Sequence, residues 1–284
     1  MKLEGRRTSG NVDDRRGSGK TVAGLGIGGI VIAAIFAWMT GGNPLEVITG
    51  QLGNVMQQSG EGYTPSAEED AMATFASQVL AGTEDVWTKE FEKMGRKYVP
   101  PKMVLFSRAT TSGCGSASSQ TGPFYCPADQ TVYIDLSFFE QMQGQLGAGG
   151  DFAYAYVIAH EVGHHVQYLL GTLNEVQKKQ NRMSQKESNQ INVRLELQAD
   201  FYAGIWAYHD NKMYNSLEAG DIEEGLNAAS AIGDDRLQMQ SQGYTVPDAF
   251  NHGTSAQRVR WLKKGASTGR VADGDTFSPN YSSL

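Results

Sequence analysis

Apolar positions at helical spacing predict the long helices of this chain. They recur over residues 66–96 on both sides of Gly82, which indicates a pair of helices separated at the glycine. A second apolar run of helical period covers residues 151–170. A third long helix is predicted over residues 184–209, because the capping sequence SQKE marks its start. The chain is therefore predicted to be mostly helical.

Shorter patterns add two helices and two strands. Asp221, followed by a glutamate three residues later, marks the start of one helix, and Thr254 or Ser255 marks the start of another. Residues 103–107 and 131–136 are short runs of β-branched and aromatic residues bounded by turn residues, so they are predicted to be strands. The fold class expected from this order is α+β, with a small sheet beside the helices.

One uncharged apolar run differs from the rest of the sequence. Residues 22–39, VAGLGIGGIVIAAIFAWM, number 18, which is close to the minimum for a helix that crosses a bilayer. Basic residues precede the run and the next one follows only at Lys89, so the positive charge predicts a cytoplasmic N-terminus and a domain outside. A cleaved signal peptide is the main alternative. A buried core helix fits less well, because the run contains four glycines.

These features divide the chain into five parts. We expect residues 1–20 to form a basic cytoplasmic segment and residues 21–40 to form a single transmembrane helix. Residues 41–65 are rich in Gly, Gln and Asn, which is typical of a linker. A domain over residues 66–265 follows, and residues 266–284 are expected to be an irregular polar tail.

Charge excludes one class of partner. The chain of 284 residues has a formal net charge of -7, but residues 1–20 contain six basic and three acidic residues. The remainder contains 18 basic against 28 acidic residues. No basic stripe is left that could displace the counterions of a phosphate backbone, so the main body is not expected to bind nucleic acid.

The two cysteines, Cys114 and Cys126, close a loop that is rich in Gly and Ser. If the domain lies outside the membrane, the compartment is oxidising and the two cysteines are expected to form a disulfide. Two free thiols are the alternative. The spacing of the pair does not resemble that of a zinc ribbon.

A cluster of chemically active residues lies inside the helix predicted over residues 151–170. In the sequence HEVGH, His160 and His164 are four residues apart and share one helix face, where both imidazoles can bind one zinc ion. Glu161 lies beside them, where its carboxylate can accept a proton from a metal-activated water. His165 points about 100° away from His164, so it is not expected to bind the same ion.

A catalytic zinc ion usually has three protein ligands, and HExxH supplies two. A metzincin would place Gly and His at the positions of Gln167 and Leu170, so that class is excluded. A better third ligand is Glu196 in the helix over residues 184–209, with Asp200 one turn later as the acceptor of the second N–H of a zinc-bound histidine. The alternative for both carboxylates is an ordinary solvated helix face.

These residues give the chain a resemblance to known zinc peptidases. HEVGH followed by ELQAD is similar to the gluzincin arrangement, HExxH plus ExxxD, of thermolysin-like and membrane-associated enzymes. More closely, the chain resembles the bacterial neutral zinc metallopeptidases through KLEGRR, the predicted anchor, YCPADQTVYIDLSFF, HEVGHHVQ, ELQADFYAG, GDDRLQ and HGTSAQRVRW. The resemblance implies a zincin-like, minimal gluzincin fold. It also implies one Zn²⁺ per chain, bound by His160, His164 and Glu196, with Glu161 as the general base.

The resemblance extends to His252 and Arg258. A similar His and Arg follow the zinc helices in membrane-bound gluzincins, where such groups face the developing oxyanion. The alternative is that His252 caps the last helix and that Arg258 pairs with a carboxylate such as Asp234 or Asp235.

The strand predicted over residues 131–136 has two interpretations. In zinc peptidases an exposed edge strand near the metal helix holds an extended substrate by main-chain hydrogen bonds, and this strand has the length and composition for that role. An ordinary buried strand is equally compatible with the sequence.

The sequence therefore predicts a zinc-dependent endopeptidase with Glu161 as general base, which acts on unstructured or misfolded polypeptide. It would be anchored by a single pass in the bacterial inner membrane, with its catalytic domain in the periplasm or outside the cell. Two alternatives are a zinc hydrolase of a non-peptide envelope substrate, such as a cell-wall amide, and a non-catalytic envelope scaffold stabilised by zinc. The presence of Glu161 argues against the scaffold, because a purely structural site needs no base.

Overall fold

The computed structural model describes residues 1–16 and 64–284. It has the α+β composition predicted from the sequence, with helices packed beside a small sheet. The helices of this part of the chain are α1 (Ala67–Lys93), α2 (Ser137–Leu146), α3 (Asp151–Leu170), α4 (Thr172–Gln180), α5 (Gln185–Tyr214), α6 (Asp221–Ala231), α7 (Asp234–Gln242) and α8 (Ser255–Thr268). The strands are β1 (Val12–Asp14), β2 (Lys102–Phe106), β3 (Ala109–Ser112), β4 (Gly115–Ser118), β5 (Phe124–Cys126) and β6 (Thr131–Asp135).

The sequence signals place α3 and the starts of α5, α6 and α8 correctly, to within one residue. α3 has the predicted bounds, and α6 and α8 begin where their start signals indicate. The capping box of α5 is confirmed, since the Ser184 side chain accepts from the Glu187 N–H and the Glu187 carboxylate accepts from the Ser184 N–H. The short elements α2, α4, α7, β3, β4 and β5 are not predicted, because their windows are too short to show a clear period.

The helical pair predicted on either side of Gly82 is wrong, because α1 is one continuous helix of 27 residues. A Cβ atom at Gly82 would lie 2.7 Å from Arg6 Nη2 and 2.8 Å from Asp210 Oδ1. The missing side chain of Gly82 lets the ion pair of Arg6 and Asp210 pack against α1, and the glycine does not break the helix.

The main sheet has the strand order β1-β2-β6-β5. β1, β2 and β6 are parallel, whereas β5 runs antiparallel to β6 in a register that pairs Tyr125 with Val132. All five residues of β6 are buried. Of the two interpretations of residues 131–136, the structure has the buried strand, and β5 forms the edge of the sheet next to it.

A disulfide ties the separate β3–β4 hairpin to the main sheet. It joins Cys114 in the hairpin turn to Cys126 at the end of β5, which confirms the predicted pairing. Cys126 is fully buried in a small cluster with β2 and β6, so the covalent link holds β5 from within the sheet.

α3 and α5 cross at the centre of the domain. At the crossing, a Cβ atom at Gly163 would lie 3.0 Å from the backbone oxygen of Ala199, so the missing side chain lets the two helices approach closely. Gly204 on α5 meets a different neighbour. A Cβ atom there would collide with the backbone oxygen of Leu262, because α8 packs against this side of α5.

Residues 1–16 belong to the same folded unit as the helices, which differs from the separate segment predicted for residues 1–20. β1 extends the sheet beside β2, and Leu3 is buried in the main core. Arg6 makes a bidentate ion pair with Asp210 of α5, at 2.7 and 2.9 Å. A strand of three residues has no measurable period, so the pattern of the sequence does not reveal this packing.

The predicted transmembrane helix over residues 21–40 lies outside the described residues, and so does nearly all of the linker predicted over residues 41–65. In the part of the chain that the structure describes, no helix combines the length and apolar character needed to span a bilayer.

The C-terminal segment, residues 269–284, is largely irregular but is packed against α5. The hydroxyl of Thr276, which is fully buried, donates to the backbone oxygen of Arg194 at 2.7 Å. The side-chain amide of Gln198 donates to the backbone oxygen of Gly274 at 2.8 Å. The segment therefore covers the part of α5 that carries the candidate third ligand.

Candidate metal centre

The three side chains predicted to bind metal converge between α3 and α5. His160 and His164 lie one turn apart on α3, and Glu196 faces them from α5. Glu196 Oε2 lies 3.2 Å from His160 Nε2 and 3.5 Å from His164 Nε2. Among the residues that the structure describes, they form the one group of His, Cys, Asp or Glu side chains close enough to share an ion.

These separations fit one zinc ion. Zinc bonds of about 2.0–2.1 Å in a tetrahedron place neighbouring ligand atoms about 3.3 Å apart. The two measured distances, 3.2 and 3.5 Å, lie on either side of that value. Two imidazoles and one carboxylate are also the donor set of catalytic zinc sites that keep a fourth position open. The residues present therefore fit Zn²⁺.

Asp200 fixes the orientation of His160. Its Oδ1 lies 2.8 Å from His160 Nδ1 and accepts the N–H there, which leaves Nε2 as the ligand atom. The carboxylate of Asp200 is completely buried, and the Tyr156 hydroxyl donates to it at 2.6 Å. Burial alone would raise the pKa of Asp200, but Arg258 and His160 lower it to about 2, so the carboxylate is ionised at neutral pH.

Arg258 is part of this support and is 2% exposed. Its Nε lies 2.9 Å from Asp200 Oδ2, and its Nη2 lies 3.0 Å from Asp200 Oδ1. The guanidinium therefore pairs with Asp200, and not with Asp234 or Asp235 as the sequence alternative supposed. The guanidinium hydrogen-bonds to Asp200 and Tyr156, and it therefore stabilises the ionised carboxylate of Asp200 that orients His160.

His252 lies in the same cleft as the ligands, on the loop before α8. Its Nδ1 lies 3.2 Å from Asp234 Oδ1, while Asp234 Oδ2 accepts the backbone N–H groups of Asn251, His252 and Gly253. Burial lowers the pKa of His252, but the bond to Asp234 raises it above its usual range. The side chain is 51% exposed, so Nε2 is available to a bound substrate. The cap of α8 is Thr254, and not His252.

His165 points away from the metal ligands, as its position on the helix predicts. Its Nδ1 lies 2.9 Å from the Tyr125 hydroxyl, and its Nε2 lies 2.7 Å from the backbone oxygen of Val99. Burial lowers the pKa of His165 to about 4, so the ring is neutral. The neutral ring donates from Nε2 and accepts at Nδ1, which joins α3 to β5.

The centre carries an excess of negative charge that a divalent cation would balance. Three largely buried carboxylates, Glu161, Glu196 and Asp200, are accompanied by a single guanidinium. Although burial lowers the pKa of His160, Asp200 and Glu196 raise it to about 10. Burial also lowers the pKa of His164, and Glu196 again raises it above its ordinary value. Both shifts show that the carboxylates favour positive charge at this point.

The centre opens into a cleft of about 500 Å³, which Glu161 lines together with the ligands. The edge strand β5 contributes Phe124 and Tyr125 to its wall. Further apolar side chains around the cleft are Phe138, Val157, Leu173, Leu195, Ile232 and Leu237. The cleft therefore combines a polar centre with uncharged walls.

Sequence reasoning does not identify three side chains of the centre. Tyr156 lies one turn before His160 on α3, so its spacing is a signal that could have indicated it. Gln167 lies three residues after His164, and its position was used only to exclude metzincins. Asp234 is predicted only as a possible partner of Arg258; its contact with His252, 18 residues away, depends on the fold.

Comparisons with known proteins show the family of this chain. A family model with the description "Putative neutral zinc metallopeptidase" matches residues 1–277. The protein YpfJ of Escherichia coli strain K12 is 50% identical over 287 aligned positions, which cover 98% of this chain and 99% of YpfJ. The protein Rv2575 of Mycobacterium tuberculosis strain H37Rv is 46% identical over 191 positions, or 64% of each chain. No solved structure matches the chain. The chain belongs to the family of neutral zinc metallopeptidases.

Proposed function

We propose that this chain is a zinc-dependent endopeptidase of the gluzincin type. One observation carries the proposal. His160 and His164 of α3 and Glu196 of α5 converge at the spacing of zinc ligands, in an open cleft that Glu161 also lines. A structural zinc site is normally closed by four protein ligands, whereas the described residues supply three here and the site opens into the cleft.

Two side chains would act on the substrate. Zinc held by the three ligands would polarise the scissile carbonyl and acidify a water molecule. Glu161 would accept the proton of that water and return it to the leaving amine, which is general base and then general acid catalysis. His252, held by Asp234, would donate from Nε2 to the oxyanion, an interaction that stabilises transition states by about 2.7–4 kcal/mol in known enzymes.

An extended polypeptide is the substrate that best fits the cleft. β5 is one of the two edge strands of the main sheet, and its residues Phe124 and Tyr125 line the cleft. A substrate strand could pair with this edge through its main chain, while its side chains contact the apolar walls. A folded domain cannot present its main chain in this way, so we propose unstructured or misfolded segments as substrates.

The disulfide supports a location outside the cytoplasm. The Cys114–Cys126 bond would persist in an oxidising compartment, such as the periplasm or the cell exterior, and would be reduced in most bacterial cytoplasms. We therefore propose that hydrolysis takes place on the outer side of the cytoplasmic membrane. Attachment to that membrane through residues 22–39 is a prediction from the sequence.

Removal of the metal tests this function. The purified full-length chain is expected to contain about one zinc ion and to cleave casein, an unstructured protein. A chelator should remove the zinc and the activity together, and one equivalent of zinc should restore both. Elemental analysis and the release of labelled casein fragments are the measurements, and chelator saturated beforehand with zinc is the control.

Other outcomes would contradict the proposal. Bound zinc without cleavage of casein or of unstructured peptides would favour the non-catalytic scaffold. Cleavage of a cell-wall amide in place of peptides would favour the other hydrolase. Failure to bind zinc would rule out the metal centre itself.

A further inference from the structure

We infer that Gln167 positions the second ligand histidine and connects it to the C-terminal segment. The inference rests on the proposed zinc centre. Gln167 is fully buried in α3, three residues after His164, and its Oε1 lies 2.9 Å from His164 Nδ1. It therefore occupies, for His164, the place that Asp200 occupies for His160.

The surrounding acceptors determine which way the Gln167 amide points. Its Nε2 lies 2.7 Å from the backbone oxygen of Leu195 and 3.1 Å from Gln198 Oε1. The backbone oxygen can only accept, so the amide nitrogen must face it and the amide oxygen must face His164. Because that oxygen also can only accept, His164 carries its proton on Nδ1. Its Nε2 is then unprotonated and free to bind metal beside Glu196.

Gln198 continues this connection out of the centre. Its Nε2 donates to the backbone oxygen of Gly274 at 2.8 Å, which leaves its Oε1 to accept from Gln167. Gly274 belongs to residues 269–284, the segment packed along α5. Three successive hydrogen bonds thus run from a ligand imidazole to the C-terminal segment, and both glutamines are buried.

The two ligand histidines are therefore held by different chemistry. His160 donates to a carboxylate, whereas His164 donates to a neutral amide. The amide fixes the tautomer without adding a further negative charge to a centre that already contains Glu161, Glu196 and Asp200. Gln167 is thus a positioning residue. The roles of its acceptor oxygen and its donor nitrogen can be tested separately by substitution.

Two substitutions distinguish positioning from packing. Gln167→Met keeps the size of the side chain but removes the acceptor, so we expect the zinc Kd to rise by about 10- to 100-fold. Gln167→Glu keeps an acceptor for His164, as Asp200 does for His160, but loses the donor and adds a negative charge, so we expect a zinc Kd within a few-fold of the parent even if the chain is less stable. Competition with a chromophoric chelator measures the Kd of the full-length chain, and thermal unfolding reports folding. Gln240→Met on the exposed face of α7 is the matched control.

Several results would overturn the inference. Parent-like zinc affinity in Gln167→Met would do so. Equal losses of zinc affinity in Gln167→Met and Gln167→Glu would also do so, because the acceptor for His164, which only the glutamate keeps, would then not matter. Should Gln167→Met not fold, Gln198→Met provides the second variant. It leaves the bond to His164 in place, and the expected rise in Kd is about two- to tenfold. No change there would refute the connection to the C-terminal segment. A parent chain that binds no zinc would instead disprove the metal centre.

A separate set of contacts bears on membrane topology. We infer that residues 1–16 and residues 64–284 lie on the same side of any membrane that the apolar run enters. β1 pairs with β2 inside the main sheet, and Arg6 neutralises Asp210, whose side chain is completely buried on α5. A single crossing by residues 22–39 would separate these partners and leave a buried carboxylate without its cation.

Several of the basic residues that predict a cytoplasmic N-terminus form ion pairs within the fold. Carboxylates of the domain hold three of these arginines, in the pairs Arg6–Asp210, Arg7–Glu84 with Arg7–Asp85, and Arg16–Asp70. Three of the six basic residues before the apolar run are thus paired with carboxylates of α1 and α5. Their number is not evidence for an orientation across the membrane.

Labelling of introduced cysteines tests the common side. Thr8→Cys lies in the N-terminal segment and Ala219→Cys in the body of the domain, and both positions are exposed. The native cysteines are bonded to each other and do not react. In spheroplasts that express either full-length variant, a membrane-impermeant maleimide is expected to label both positions alike, before lysis. Labelling of one position before lysis and of the other only after lysis would overturn the inference and restore the single crossing.

Discussion

Replacement of Glu161 by glutamine is expected to slow peptide hydrolysis by about 10²–10⁴-fold while the zinc content stays at the parent level. The amide has the size of the carboxylate but cannot accept the proton of the attacking water. Glu161 is not among the three ligands, so its loss should not release the metal. Initial rates of casein cleavage and elemental analysis on the same preparation measure the two quantities.

A matched control separates this effect from a general loss of charge. Glu175→Gln makes the same chemical change on an exposed glutamate of α4 and is expected to leave rate and zinc content unchanged. Activity near the parent level in Glu161→Gln would mean that another group is the base. Loss of zinc from Glu161→Gln would mean that this carboxylate holds the site together.

Replacement of Glu196 by glutamine is expected to weaken zinc binding by more than about 100-fold, which exceeds the usual effect of losing an outer hydrogen-bond partner. Glu196 is the candidate ligand that α5 contributes, and its Oε2 lies 3.2 Å from His160 Nε2 and 3.5 Å from His164 Nε2. The histidines, despite burial, keep the pKa of Glu196 well below its usual range, so the group is an anion in the fold. Glutamine removes this charge from the first coordination sphere.

Chelator competition on the full-length chain measures this loss, and peptide hydrolysis should fall with zinc occupancy. Glu223→Gln, an exposed glutamate of α6, is the control and should bind zinc as the parent does. Zinc affinity at the parent level in Glu196→Gln would show that the ion has a different third ligand. Recovery of activity at high zinc concentration would agree with a weakened but correctly formed site.

The ligand set could be predicted from the sequence because it depends on local spacing. Residues four apart share a helix face whatever the rest of the fold does, so His160 and His164 were certain to be neighbours once α3 was recognised. The prediction of Glu196 also depended on tertiary packing, because α5 had to lie against α3 for this carboxylate to reach the two histidines. The small residues Gly163 and Ala199 meet at that crossing, but a sequence does not show which small residue meets which helix.

The remaining features depend on partners far apart in the chain. Gly82 resembles a helix break until the ion pair of Arg6 is placed against it. Arg258 could have paired with several nearby carboxylates, and the packing of α8 on α5 selects Asp200. The sequence does not decide whether residues 131–136 form an edge or a buried strand, and it does not reveal β5, because β5 has only three residues.

The ion pair between Arg6 and Asp210 joins residues 204 positions apart. During synthesis the N-terminal segment leaves the ribosome early, and Arg6 meets its counter-charge only after most of the chain has been made. Both helices that carry the ligand side chains must also be complete before a cleft exists. Under the proposed function, a chain released too soon would therefore be inert, and the cell would be protected from unfinished copies of a peptidase.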